Sequence, residues 1–152
     1  WTFGSNRFLI PGITPTKAMV YAIRISDYID TWWSGLFGTY NNAGNVIYIG
    51  IFPVAGTLNV YNYTKTSTKA GSNPGTATLI VNEDDFYVDG SLICSLSSNI
   101  TQETTDYYIG GFHRIGYSVY RAGNFKCQAF ANYDSKLTVE QVSALTTAMN
   151  TL

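Results

Sequence analysis

Apolar and polar positions alternate with a period of two along most of this chain and change to a helical period only near its end. Ala18 to Ser26 sets Met19, Tyr21, Ile23 and Ile25 on one face of a predicted strand. Asn45 to Phe52 opposes Val46, Tyr48 and Gly50 to Ile47, Ile49 and Ile51, and Thr57 to Thr64 opposes Leu58, Val60 and Asn62 to Asn59, Tyr61 and Tyr63. Further strands are predicted over Phe3 to Ile10, with a bulge or interruption at Gly4-Ser-Asn6, and over Trp33 to Tyr40, Thr76 to Asn82, Asp106 to Phe112 and Asn124 to Tyr133. Turn residues punctuate them: Pro11-Gly12, Ile13-Thr-Pro-Thr16, Asn41-Asn-Ala-Gly44 and Pro53 to Gly56. Asp27 to Thr31 reads as a connector.

The sharpest local signal is Asp89-Gly90 between Phe86-Tyr-Val88 and Ser91-Leu-Ile93. A two-residue hairpin loop needs positive φ at both turn positions, and Asp-Gly supplies it at low steric cost. The turn predicts Val88 opposite Ser91, Tyr87 opposite Leu92 and Phe86 opposite Ile93. Phe86, Val88 and Ile93 then face the core, and Tyr87 and Leu92 the other side.

Two stretches without apolar periodicity, Lys65 to Gly75 and Ser95 to Thr105, read as polar loops, and His113 to Gly123 as an aromatic-rich excursion. Gly110-Gly111 marks a place where another backbone can approach closely. Thr138-Val-Glu-Gln141 is a capping box, followed by Val139, Val142, Leu145 and Met149 at helical spacing. This single amphipathic helix is expected to cover an edge or an end of the sheets. Many short strands followed by one helix predict an all-β, two-sheet antiparallel sandwich, a single domain over residues 1–152.

Charge and cysteines narrow the functional classes. Charged residues make up 12% of the 152, the net charge is −1, and the nine Lys and Arg are scattered, so no basic stripe for nucleic acid exists. No apolar run approaches a membrane span, so membrane insertion is not expected. Trp1 as first residue fits a piece of a longer protein, so a missing leader says nothing about destination. Continued alternation puts Cys94 on the Tyr87 and Leu92 face, and Cys127 on the face of Phe125, Ala129 and Ala131. The two thiols are therefore expected to be free, unless a bulge reverses the parity.

Four segments in order resemble the concanavalin A-like, or laminin G-like, superfamily. They are Phe3-Gly-Ser-Asn-Arg-Phe-Leu-Ile-Pro11, the Phe86-Tyr-Val-Asp-Gly90 hairpin, Tyr108-Ile-Gly-Gly-Phe112, and Phe130-Ala-Asn-Tyr-Asp-Ser-Lys-Leu-Thr138 running into Val-Glu-Gln141. The resemblance implies a jelly-roll of two stacked antiparallel sheets. It commonly implies sugar binding on a cell surface, secreted enzyme or virion, a bacteriophage tail fibre among the settings, while the same fold also hosts enzymes and protein-binding modules.

Glycosidases on that fold carry paired carboxylates, commonly Glu-x-Asp-x-Glu, because retaining hydrolysis needs two carboxyl groups about 5 Å apart. The three glutamates here, Glu83, Glu103 and Glu140, form no such pattern, and Glu83-Asp84-Asp85 reads as a solvated bend. His113 is the only histidine, and no zinc-ligand spacing is present. No cofactor is expected; Asp27, Asp30 and Asp106 are the loop carboxylates that calcium would use. Asn62-Tyr-Thr64 and Asn99-Ile-Thr101 match the N-glycosylation pattern, a frequent chance match.

Aromatics, at 15% of residues, carry the positive signal. A Tyr or Trp ring offers a flat apolar face for the C–H side of a sugar, and Asn, Asp and Arg offer hydrogen bonds to its hydroxyls. Two clusters fit: Trp32 and Trp33 with Tyr40, Asn41 and Asn42, and His113, Arg114, Tyr117, Tyr120 and Arg121. The bland alternative is that these rings close the ends of the sandwich. The leading expectation is a non-catalytic glycan-binding module of an extracellular or virion-surface protein. Its partner would be a glycan or glycosylated surface, with a homo-oligomer formed through the parent protein. The rivals are a structural or protein-interaction module, such as a phage fibre or capsid decoration domain, and, last, a glycosidase using Glu83 or Asp85.

Overall fold

The computed structural model describes residues 1–3, 7–14, 16, 18–29, 35–40, 48–54, 57–64, 68–72, 74–95, 106–114, 117–120 and 123–152. The strands are β1 Thr2–Phe3, β2 Val20–Ser26, β3 Phe37–Tyr40, β4 Tyr48–Val54, β5 Thr57–Thr64, β6 Thr68–Ser72 and β7 Ala77–Asn82. They continue with β8 Asp85–Val88, β9 Ser91–Ser95, β10 Tyr108–Ile109, β11 Phe112–Arg114, β12 Tyr117–Tyr120 and β13 Phe125–Tyr133, and α1 spans Val139–Asn150. A six-stranded sheet runs β1-β13-β2-β7-β8-β9, and a seven-stranded sheet runs β12-β11-β3-β4-β5-β6 with β10 also on β3. The described pairs are antiparallel except one: β11 lies parallel to β3. The chain reverses against β3 across Gly110-Gly111, since β10 pairs with that strand antiparallel.

One core draws on both sheets. Tyr21, Ile23 and Ile25 of β2, Leu79 and Val81 of β7, and Phe86 of β8 meet Phe37 of β3 and Leu58 and Val60 of β5. Its centre is aromatic: the Tyr21 ring lies 5.7 Å from Phe37 and 5.3 Å, edge-on, from Tyr107, and Phe130 lies 5.8 Å from both Phe37 and Tyr107. Offset and edge-on pairs of this kind add about 0.5–1.5 kcal/mol each beyond their buried area. Met19, Tyr21, Ile23 and Ile25 thus behave as the alternation predicts.

The helix sits elsewhere than expected. It covers the outer face of the six-stranded sheet, where Val142 and Met149 pack with Val20, Ala22, Ile80 and Tyr87, flanked by Ala129 and Ala131. The capping box is present in both directions: Thr138 Oγ1 accepts from Gln141 N, and Gln141 Oε1 accepts from Thr138 N. Val139, counted on the buried stripe, is exposed, and Thr146 is buried in its stead.

Bulges account for most other departures. The Asp89-Gly90 turn has φ 48° and 81°, and Val88 pairs with Ser91 and Tyr87 with Leu92 as expected. A register shift between Phe86 and Tyr87 then pairs Phe86 with Cys94. Ile93 is left exposed, and Cys94 packs against the core in its place. A second shift, between Cys127 and Ala129, buries Cys127 in the same core while Ala129 turns to the helix. The opposite facing expected for the two thiols is therefore wrong. Both are free nonetheless. Their strands β13 and β9 stand four places apart in the sheet order, about 19 Å at 4.8 Å per step, far beyond disulfide reach.

Three segments are more regular than the sequence implied, and one less. Part of the polar stretch 65–75 is the edge strand β6, and the excursion 113–123 contains β12 and the end of β11. Among the described residues, the strand expected over 3–10 is β1 plus an isolated bridge between Leu9 and Ile109. Strand β4 runs through Pro53, a residue of the expected 53–56 turn, to Val54. The turn at 41–44 and most of the loop at 95–105 lie outside the described residues.

Gly110 has φ +94°, and a Cβ there would lie 2.3 Å from Phe3 Cδ1 and 2.8 Å from the Arg7 carbonyl oxygen. Gly110→Ala is expected to cost about 2–5 kcal/mol through backbone strain plus overpacking, measured by urea unfolding. Burial pushes the Cys127 thiol from its ordinary 9.0 up to about 11 and raises Cys94 as well. Folding thus favours the protonated thiols; this contribution is complete below about pH 9 and is lost as pH rises toward 11. Native protein at pH 8 should leave Cys127 unmodified by a disulfide reagent while unfolded protein titrates both thiols. The urea midpoint should fall between pH 9 and 11, less steeply in Cys127→Ala.

Candidate functional site

One residue of the first aromatic cluster, Tyr40, lies on a strand that neighbours the strands of the second. Tyr40 ends β3, His113 and Arg114 lie in β11, and Tyr117 and Tyr120 bound β12. Arg114 pairs with Tyr40 on one side and with Tyr117 on the other, while His113 pairs with Thr39 and Phe112 with Tyr120. Trp32, Trp33, Asn41, Asn42 and Arg121 lie outside the described residues.

The row continues across the sheet. Tyr40 pairs with Tyr48, and Tyr48 with Thr64, giving the order Tyr117, Arg114, Tyr40, Tyr48, Thr64 over five strands. At about 4.8 Å per step this register line is about 19 Å long. Two residues along, Gly38 pairs with Gly50, and Gly50 with Tyr61. Neither glycine carries a side chain, and Gly38 is buried. Phe37 and Thr39 are both fully buried. Gly38 and Tyr40 occupy the register positions that alternate with these two.

Tyr48, Tyr61 and the Gly38–Gly50 pair were not singled out from the sequence. Their alternation was legible, but nothing local says that β4 and β5 extend the row begun by β3 and β11. The convergence depends on the parallel pairing of β3 and β11, a contact between distant parts of the chain.

The acidic candidates are engaged elsewhere. Glu83-Asp84 is the two-residue turn between β7 and β8, closed by the Asn82–Asp85 pair, with Glu83 at φ 58°. Lys136 Nζ lies 3.1 Å from Asp85 Oδ2 and 3.6 Å from Glu83 Oε2, and Ser95 donates to Asp85 Oδ1 at 2.8 Å. The hydrogen bond to Asp85, followed by smaller Coulomb contributions, raises the pKa of Lys136. These two carboxylates serve a surface ion cluster on the six-stranded sheet, away from the aromatic row. Asp27 pairs with Lys126 at 2.6 Å, and Asp106 accepts from Thr14 Oγ1 at 2.7 Å. Asp30 lies outside the described residues, and among those described no three His, Cys, Asp or Glu gather as metal ligands.

Compared with protein-family models and with curated proteins, the sequence matches none. Its fold does match solved structures. Trypanosoma rangeli sialidase in complex with 2,3-difluorosialic acid superposes with a TM-score of 0.66 at 14% identity, over 88% of this chain and 23% of that one. The Ruminococcus gnavus IT-sialidase CBM40 bound to α2,3-sialyllactose gives 0.63 at 14% identity, over 85% of this chain and 82% of the module. The heptameric SAP-like pentraxin of Limulus polyphemus gives 0.64 at 16% identity, over 86% and 70%. The chain thus spans about a quarter of the trypanosomal enzyme and most of the bacterial module. At these identities the likeness shows the fold alone, a β-sandwich resembling sialidase-associated modules.

Proposed function

We propose that this chain is a non-catalytic, lectin-like carbohydrate-binding module on a concanavalin A-like jelly roll. It works as one domain of a larger extracellular or virion-surface protein. The observation that carries the reading is the five-strand register line Tyr117, Arg114, Tyr40, Tyr48, Thr64 beside the Gly38–Gly50 pair. Tyrosines supply stacking surfaces, and Arg114 supplies a planar cation suited to a carboxylate. Sugars with a carboxylate are therefore the favoured class, and the solved modules of similar fold support the same choice, since one is bound to sialyllactose. Tyr120, paired with Phe112 on the next register line, is a further candidate, whereas His113 pairs with Thr39 and not with the row.

A second reading, a protein-interaction module in an oligomeric assembly, rests on one observation. The edge strand β9 carries Leu92 and Ile93 at 56% and 42% exposure. Light scattering on the isolated chain separates the two, because a stable oligomer lost in Leu92→Lys supports assembly through this edge.

Binding at a shallow face of this kind is expected at about millimolar to micromolar Kd, roughly −4 to −8 kcal/mol, and is multiplied by display of several copies. A multivalent form of the domain on a glycan array should bind sialylated or other acidic glycans. Arg114→Ala should lose most of that signal, Tyr40→Ala should weaken binding about tenfold, and both should keep the wild-type melting temperature. Silence across microbial and host glycans, or binding indifferent to both substitutions, would falsify the reading.

A further inference from the structure

A second recess lies where β13 ends and α1 begins. Tyr133, Leu137, Gln141, Ala144 and Leu145 line an open cleft of about 290 Å³. None of them belongs to the strands of the tyrosine row. Its walls are held rigidly: Asn82 donates from Nδ2 to the Leu137 carbonyl at 3.0 Å and accepts from Leu137 N at 2.8 Å, and Asn132 Nδ2 donates to the Val20 carbonyl at 2.9 Å. Leu137 and Leu145 pack on the cluster beneath the helix, so their outer surfaces make an apolar floor. Tyr133, the last residue of β13, is 38% exposed and lines the cleft beside that floor.

Gln141 gives the cleft its polar direction. Its Oε1 is committed to the Thr138 N–H at 2.8 Å by the capping box. The Nε2 donors are what this side chain has left for a ligand. Ala144, three residues on along the same helical face, adds only a methyl group and keeps the wall low.

A ligand complementary to this lining needs a flat C–H face for Tyr133, a small apolar group for the leucines, and a carbonyl oxygen for Gln141 Nε2. An acetamido group on a pyranose ring supplies the methyl and the carbonyl together, and the ring supplies the face. A plain hexose lacks both groups. A free amino sugar brings a cation, and no carboxylate lines the cleft. We propose that this cleft is a binding subsite for N-acetylated amino sugars, separate from the tyrosine row.

Saturation-transfer NMR on the intact chain with N-acetylglucosamine, glucosamine and glucose tests this. N-acetylglucosamine should be the preferred sugar, with its acetyl methyl receiving the strongest transfer. Gln141→Glu retains an acceptor for Thr138 N–H but removes the amide donor, so it should leave the melting temperature unchanged and weaken binding roughly fivefold, the worth of one hydrogen bond. Ala144→Trp, on an exposed helix position, should fill the cleft and abolish the signal, whereas Tyr40→Ala should leave it intact. Equal transfer to all three sugars, no transfer to any, or a signal that survives Ala144→Trp overturns the proposal. A signal lost only in Tyr40→Ala also overturns it, by moving acetamido binding to the sheet face.

Discussion

The constraint on which this structure turns is that β2 and β7 are buried on both faces. Tyr21, Ile23, Leu79 and Val81 meet the seven-stranded sheet, and Val20, Ala22 and Ile80 meet the helix. All seven are at 0% exposure. Each large apolar side chain sealed in this way contributes about 1.5–3 kcal/mol relative to exposure. The two faces are built differently. The inner one holds aromatic rings that span the gap between sheets. The outer one is lined by Ala22, Ala129 and Ala131, which let a helix lie close to the backbone. A helix is the element that can close such a surface, since its apolar stripe matches a narrow band of small side chains.

This double burial explains why alternation was a good guide to where strands lie and a poor one to what each face meets. Val20 to Ile25 carries apolar residues at nearly every position, so period two identified the inner set correctly but gave no sign that the outer set would be covered. The Asp89-Gly90 turn and the Thr138–Gln141 capping box were fully legible because each is decided by a few adjacent residues and by backbone sterics. What alternation cannot see is a single extra residue. The shift beside Phe86 moved Ile93 out and Cys94 in, and the shift after Cys127 exchanged the facing of Ala129 and Phe130. A bulge depends on the partner strand, and that partner is far away in sequence.

Edge strands were the other blind spot. Thr68-Lys-Ala-Gly-Ser72 forms β6 by backbone pairing with β5, at the last position of its sheet. An edge strand that contributes little to the core needs no apolar face, and polar or charged residues there discourage further pairing. Its composition is therefore that of a loop. Strand β12 is the corresponding case at the other end of the same sheet, hidden inside an aromatic stretch that reads as an excursion.

The allocation of faces also governs where recognition chemistry can sit. Among the described residues the single helix is spent on the six-stranded sheet, and the face of the seven-stranded sheet opposite the core has no helix over it. The parallel entry of β11 beside β3 brings Arg114 into register with Tyr40. Candidate residues were legible one by one, as aromatics and cations in plausible contexts. Their meeting was not, because it follows from a chain reversal at Gly110-Gly111, where Gly110 can be occupied only without a Cβ. Gly110 thus links architecture to proposed function. The close approach of Phe3 and the Arg7 backbone that excludes any side chain there also fixes the point from which β11 departs along β3. Substituting this glycine would disturb the register of Arg114 against Tyr40 before it touched any ligand.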